Sequence, residues 1–167
     1  MNDQLYLLYD FACRLAEISY QNDDVPVGAV IYKDDTYEVV APGFNQMKLN
    51  RSSLDHAEIL ALKLAMSRTG NERLNGCSMI TTLEPCPMCA QAISFARLNS
   101  ITFSAEDEKV VELSMDQRFL NHLHLIIKLV LIDSMTMIDL KNFFKNSFKI
   151  KGKISKFVLV KLVHCLF

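Results

Sequence analysis

Thr81-Thr82-Leu83-Glu84-Pro85-Cys86-Pro87-Met88-Cys89-Ala90 is the stretch that decides how this chain is read. Two cysteines stand three positions apart, and Pro87 follows the first of them. A helix that starts here accepts Pro87 in its first turn, where the missing N–H costs nothing. Positions three apart share a helix face, so both sulfurs can reach one ion. A helix N-terminus also favours negative charge, which eases thiolate formation. Such a pair is half of a metal site. The other half is read upstream at His56-Ala57-Glu58, inside Leu54-Asp55-His56-Ala57-Glu58-Ile59-Leu60.

His56, Cys86 and Cys89 form a nitrogen-and-sulfur donor set of the kind zinc takes. His122, His124 and His164 bring no second cysteine pair with them. Three protein ligands leave one position for water, the pattern of a catalytic rather than a structural zinc, and zinc lowers the pKa of such a water toward neutrality. Glu58 lies two residues from His56, a spacing that frees it to move a proton instead of binding metal. A second reading of the same residues is purely structural. Asp55-x-x-Glu58 has the form of a capping box, with Asp55 as N-cap and Glu58 reaching back, and His56 is then an exposed first-turn residue.

Composition narrows the setting. The chain has 167 residues, half of them hydrophobic and 22% charged, as expected for one globular domain with a single core. Met1-Asn2-Asp3-Gln4 lacks a basic region followed by an apolar run, so no signal peptide is expected. No apolar stretch is long enough to span a bilayer, and no membrane association is expected. Five cysteines, an odd number, argue against a disulfide framework; Cys13 and Cys77 lie among apolar residues and read as small core side chains. Charge is unevenly placed. Residues 1–140 hold 11 basic and 19 acidic residues, a balance of −8, whereas residues 141–167 hold seven lysines and no acid, a balance of +7. A basic terminal segment suits phosphates or an anionic surface, or is simply a solvated face.

Along the chain, Leu5, Leu8, Ala12, Leu15 and Ala16 recur at helical spacing and predict a helix over residues 4–20, with Asp3 as N-cap. Residues 25–32 and 37–41 predict a β-hairpin across the turn Lys33-Asp34-Asp35. Pro26 fits only a strand start or edge, and Gly28 permits either the close approach of a backbone or ligand or a bulge. Pro42-Gly43-Phe44-Asn45-Gln46 reads as a loop, in which the Asn45 amide suits either a base edge or a turn. Helices are predicted over 54–68, stopped by Gly70, and over 86–97; strands over 77–83 and 100–105. Helical crossovers make the later strands parallel, in a sheet flanked by helices. Both half-sites then sit at helix N-termini near the carboxyl ends of strands. Residues 110–125 show little periodicity, and 134–148 suggests a further helix. No internal repeat and no dividing linker is evident.

His-x-Glu followed by Pro-Cys-x-x-Cys is the recognised signature of the zinc nucleobase deaminases. The chain further resembles the bacterial tRNA-specific adenosine deaminases of the cytidine/deoxycytidylate deaminase superfamily. The resemblance is carried by Val25-Pro26-Val27-Gly28-Ala29-Val30, Gly43-Phe44-Asn45, His56-Ala57-Glu58 and Thr82 to Ala90, then by Ala96-Arg97, Phe103-x-Ala105-x-Asp107-x-Lys109, Asn121-His122 and Phe143-Phe144. It implies an α/β protein with a three-layer α/β/α cytidine deaminase-like fold and a central mixed sheet flanked by helices. It also implies one Zn2+ per subunit on His56, Cys86 and Cys89, with Glu58 as proton shuttle. Asn45 would contact the flipped base, Val27, Glu84 and Pro85 would line its pocket, and Asp107 would meet the nucleotide backbone. Phe143, Phe144, Lys145 and Lys149 would meet the anticodon stem, lysine standing where the family favours arginine. The implied setting is a cytoplasmic homodimer acting on a tRNA anticodon stem-loop, where wobble adenosine becomes inosine.

The deaminase domain is expected over residues 1–146, with a basic, apolar tail over 147–167 that has no counterpart in the family pattern. Val110-Val111-Glu112-Leu113 stands where the family has small, glycine-rich sequence. Two rivals share the zinc site: a deaminase of a free base or nucleoside (guanine, cytosine or cytidine), and a non-catalytic RNA-binding zinc subunit. Asp107, the Phe-Phe-Lys segment and the basic arm argue against the first, and Glu58 against the second.

Overall fold

The computed structural model describes residues 3–105 and the strand at 126–129. In order these form α1 (Asp3–Gln21), β1 (Gly28–Lys33), β2 (Val39–Phe44), α2 (Met47–Asn50), α3 (Ala57–Thr69), β3 (Cys77–Thr81), α4 (Pro87–Phe95), β4 (Ser100–Phe103) and β5 (Ile126–Leu129). The strands make one mixed sheet in the order β2-β1-β3-β4-β5. β1 runs antiparallel to β2 and β3, while β3, β4 and β5 are mutually parallel. The carboxyl ends of β2, β3 and β4 therefore share one edge, and the loops leaving β2 and β3 at that edge lead into α2, α3 and α4.

Two glycines set the layers. Gly28 pairs with Phe44 and Ala29 with Gly43, so Gly28 and Gly43 lie on adjacent rungs and face opposite sides of the sheet. A Cβ on Gly28 would stand 2.0 Å from the Ala12 carbonyl oxygen; one on Gly43 would stand 2.2 Å from that of Ala57. α1 thus lies close on one face and α3 close on the other. The α3 face is filled by Ala29, Ile31, Ala41, Met79 and Ile101 from the sheet, Ala57, Ala61 and Ala65 from α3, and Ile93 from α4. Small side chains along α3 allow its backbone this approach, and the buried aliphatics supply the hydrophobic drive. The outcome is the three-layer α/β/α arrangement.

Several sequence expectations are corrected. Asp3 lies inside the first turn of α1 rather than capping it. Pro42, Gly43 and Phe44 continue β2 instead of forming a loop. This is tolerated because β2 is the sheet edge, where a proline costs no ladder bond. Gly28 serves the close approach of a helix, and the register irregularity falls instead between Ile31 and Tyr32. α3 starts at Ala57, not Leu54, and ends on Gly70 in the left-handed region at φ 65°. α2 and β5 are additional to the predicted elements. Cys77 is buried and Cys13 partly so. The predicted helix over 134–148, the tail 147–167, and Asp107, Phe143, Phe144, Lys145 and Lys149 lie outside the described residues.

Candidate metal centre and substrate pocket

His56 is the N-cap of α3, with extended backbone at φ −71° and ψ 152°. Cys86 is the N-cap of α4 at φ −64° and ψ 164°, and Pro87 opens that helix, as its fixed φ favours. Neither cap residue makes a side-chain hydrogen bond to its own helix. Both side chains are therefore free to turn toward one another across the shared sheet edge, and Cys89 joins them from the first turn of α4.

The three donors lie nearly equidistant. Cys86 Sγ is 3.7 Å from His56 Nδ1, Cys89 Sγ is 3.6 Å from it, and the two sulfurs are 3.6 Å apart. Tetrahedral zinc with bonds of about 2.3 Å to sulfur and 2.0–2.1 Å to nitrogen requires donor separations of about 3.6–3.8 Å. The set fits one zinc ion without rearrangement. Among the described residues, His56, Cys86 and Cys89 are the group whose ligand atoms converge in this way. The thiols are also electrostatically unequal. Cys86 is pulled down to about 5, first by the hydrogen bond from Cys89 and then by nearby backbone donors. Cys89 is pushed up by that same bond and by burial.

Glu58 sits beside this triangle in the first turn of α3, only 3% exposed. Burial raises its carboxyl to about 7, opposed by its hydrogen bonds and by the nearby His56. A carboxyl poised near neutrality can both take up and release a proton at physiological pH. The capping-box reading fails. The N-cap is His56 rather than Asp55, and the Ala57 N–H at the start of α3 is met from elsewhere, by Asn45 Oδ1 at 2.8 Å. The Asp55 carbonyl instead accepts from the Gln46 N–H at 3.0 Å, a second strut between the Asn45 segment and the entry to α3.

Asn45 is buried, and its own N–H donates to the Val27 carbonyl at 3.1 Å. With Oδ1 accepting from Ala57, Nδ2 is the group of Asn45 that can donate to a base. The Val27 side chain belongs to the core on the α3 side, and its carbonyl also accepts from Ser19 Oγ at 3.0 Å. Pro85 is buried at the turn before Cys86, and the Glu84 N–H donates to the Ala105 carbonyl at 2.7 Å, tying that turn to the exit of β4. Thr82 Oγ1 accepts from the Gly28 N–H, joining the start of β1 to the same turn.

The cytidine and deoxycytidylate deaminase zinc-binding region matches residues 2–105, which span every one of these groups. The chain belongs to that deaminase family. It is 37% identical over 116 residues to the tRNA-specific adenosine deaminase of Aquifex aeolicus, covering 66% of this chain and 76% of the relative. A second such enzyme, from Streptococcus pyogenes, is 33% identical over 128 residues, covering 73% of this chain and 78% of that one. Among solved structures, a chain from studies of A-to-I editing by tRNA deaminases at the wobble position of transfer RNA superposes with a TM-score of 0.60 at 37% identity. That match covers 63% of this deaminase and 79% of the solved chain. The guanine deaminase of Bacillus subtilis superposes with a TM-score of 0.58 at 26% identity, over 84% and 93%.

Sequence reasoning missed two buried polar residues near this pocket, Ser19 and Asp24. Ser19 falls at the end of the helix expected over 4–20 and Asp24 between that helix and the first expected strand, and the partner that gives Asp24 its role, Lys48, is 24 positions away. No local spacing signals them.

Proposed function

We propose that this deaminase hydrolyses the exocyclic amine of adenosine at the wobble position of a tRNA anticodon, giving inosine and ammonia. The observation that carries the reading is the buried Glu58 carboxyl beside three donors spaced for one zinc ion. The choice of adenosine in tRNA rests on relatives of that activity at 33–37% identity.

His56, Cys86 and Cys89 hold the metal in this reading. Bound zinc supplies a Lewis acid that brings the pKa of water near neutrality. Glu58 accepts the proton of the water that adds to the amine-bearing ring carbon. It returns that proton to the adjacent ring nitrogen, and a further transfer lets ammonia leave. Burial raises the proton affinity of the Glu58 carboxyl above that of an exposed carboxylate, which favours its taking up the proton. Asn45 Nδ2, the Val27 segment and the Glu84-Pro85 turn surround the base. By resemblance, Asp107 meets the nucleotide backbone, and Phe143, Phe144, Lys145 and Lys149 meet the anticodon stem. The same reading sets the enzyme in the cytoplasm as a homodimer; among the described residues no helix is long and apolar enough to cross a membrane.

The alternative, action on a free base, is favoured by the length of the guanine deaminase superposition. One experiment separates the two. A minimal anticodon stem-loop with wobble adenosine is assayed for inosine, beside the same loop with cytidine, free nucleosides and free guanine. Conversion of the adenosine loop alone supports the tRNA reading. Conversion of a free base or nucleoside instead overturns the substrate and leaves the zinc chemistry standing.

A further inference from the structure

Asp24 lies at the exit of α1, 6% exposed, and makes two hydrogen bonds with its carboxylate. Oδ1 accepts from the Val25 N–H at 2.8 Å, and Oδ2 accepts from the Lys48 N–H at 2.9 Å, across 24 positions of chain. Three residues after Asp24, the Val27 carbonyl accepts from the Asn45 N–H. Three residues before Lys48 stands that same Asn45. Residues 24–27 and 45–48 therefore close a ring, joined at one end by Asp24 and Lys48 and at the other by Val27 and Asn45.

The ring is held to α1 at both ends of its 24–27 side. Ser19, fully buried, donates from Oγ to the Val27 carbonyl, and its own carbonyl accepts from the Asp24 N–H at 3.0 Å. On its far side the ring presents Asn45 Oδ1 to the first amide of α3, the residue between His56 and Glu58. A buried carboxylate that accepts backbone N–H bonds is held more firmly than a neutral acceptor. Lys48 lies in a helix of only four residues with no side-chain cap of its own, so this contact, together with the Gln46 N–H on the Asp55 carbonyl, sets where the segment after Asn45 runs.

We propose that Asp24 is a positioning residue for the deamination: by closing the ring it fixes Asn45, and through Asn45 the pocket wall beside the base. The inference rests on the tRNA-adenosine reading for its kinetic test, and on geometry alone for its exchange test. The substitution Asp24→Ala leaves the Lys48 N–H without its acceptor and opens the ring at one end. The substitution Asp24→Asn keeps one acceptor oxygen and closes the ring in part.

The test compares wild type, Asp24→Ala and Asp24→Asn on the adenosine stem-loop, with zinc content and amide hydrogen exchange read on the same samples. Asp24→Ala is expected to raise KM about tenfold, the worth of one charge-assisted hydrogen bond, with kcat within about twofold and zinc retained. Asp24→Asn is expected to fall between. Exchange is expected to quicken at Asn45, Lys48 and Ala57 and to hold through the middle of α3. Unchanged KM overturns the proposal. So does a uniform loss of zinc, kcat and protection along all of α3, which marks general destabilisation. If Asp24→Ala does not fold, Asp24→Asn is judged by the same criteria. Failure of the wild type to convert the loop refutes the substrate reading instead, and exchange at Asn45 and Ala57 still decides the ring.

Discussion

Asn45 Oδ1 accepts the Ala57 N–H at 2.8 Å, so a loop residue 12 positions upstream caps the helix that carries His56 and Glu58. In the proposed reading one amide side chain has two assignments, helix cap through its oxygen and base contact through its nitrogen. Asn45→Ala removes both. It is expected to lower stability by about 1 kcal/mol, or about 3 °C in melting temperature, and to weaken substrate binding as well. Asn45→Asp keeps the acceptor and loses the donor. It is expected to melt like the wild type while still binding the stem-loop poorly. Calorimetry beside KM measurements checks the split; equal effects of both variants on stability would remove the cap from the account.

Gly28 and Gly43 are expected to fail differently when replaced. Either Cβ would overlap a helix backbone, which overpacking costs put at about 1–3 kcal/mol or more. Gly28→Ala pushes on α1, away from the metal ligands. Gly43→Ala pushes on Ala57, next to His56. Both variants should melt lower, but only Gly43→Ala should lose bound zinc in the folded protein. Metal analysis of the soluble fraction distinguishes them.

Glu58→Gln preserves the shape of the side chain and removes its ability to accept and return a proton. Turnover is expected to fall about 10²–10⁴-fold. Zinc content and stem-loop affinity should stay near wild type, since the ligand triangle contains no atom of Glu58. A non-catalytic RNA-binding subunit would show no turnover to lose, so the wild-type and variant rates together test that rival.

Zinc removal is expected to act on the fold as well as on the reaction. His56 lies 30 positions before Cys86, and an ion on both joins α3 to α4. A ligand present at about a hundredfold over its dissociation constant stabilises the native state by about 2.7 kcal/mol. Chelation should therefore lower the melting temperature and abolish inosine formation, and zinc addition should restore both. His56→Ala, Cys86→Ala and Cys89→Ala should each melt near the chelated wild type and respond little to added zinc.

Much of this arrangement was legible in the sequence because its key spacings are local. Pro87 marked the start of α4, and Cys86-x-x-Cys89 on one turn marked two ligands for one ion. The same locality misled at Asp55, where a capping-box spacing concealed a cap supplied by Asn45 from across a loop. Pro42 and Gly43 read as a loop because composition does not reveal that a strand is at the edge, where proline is permitted, or beneath a helix, where glycine is needed. Asp24 and Ser19 carried no signal at all, since a buried hydrogen bond to a backbone amide 24 positions away has no sequence pattern. Glu58 was legible as a proton carrier from its neighbours, but its burial, which sets its proton affinity, emerges only from packing.

Pro42 has one more consequence. An outermost strand offers its free row of amides and carbonyls to any other extended chain, and this is how folded proteins begin to aggregate. β2 occupies that position here, and Pro42 lacks the amide that a docking strand would need midway along it. The opposite side of the row is already taken by β1. The residue that first looked like the end of a strand therefore guards its open side, and disfavours pairing of two copies of this chain edge to edge through β2.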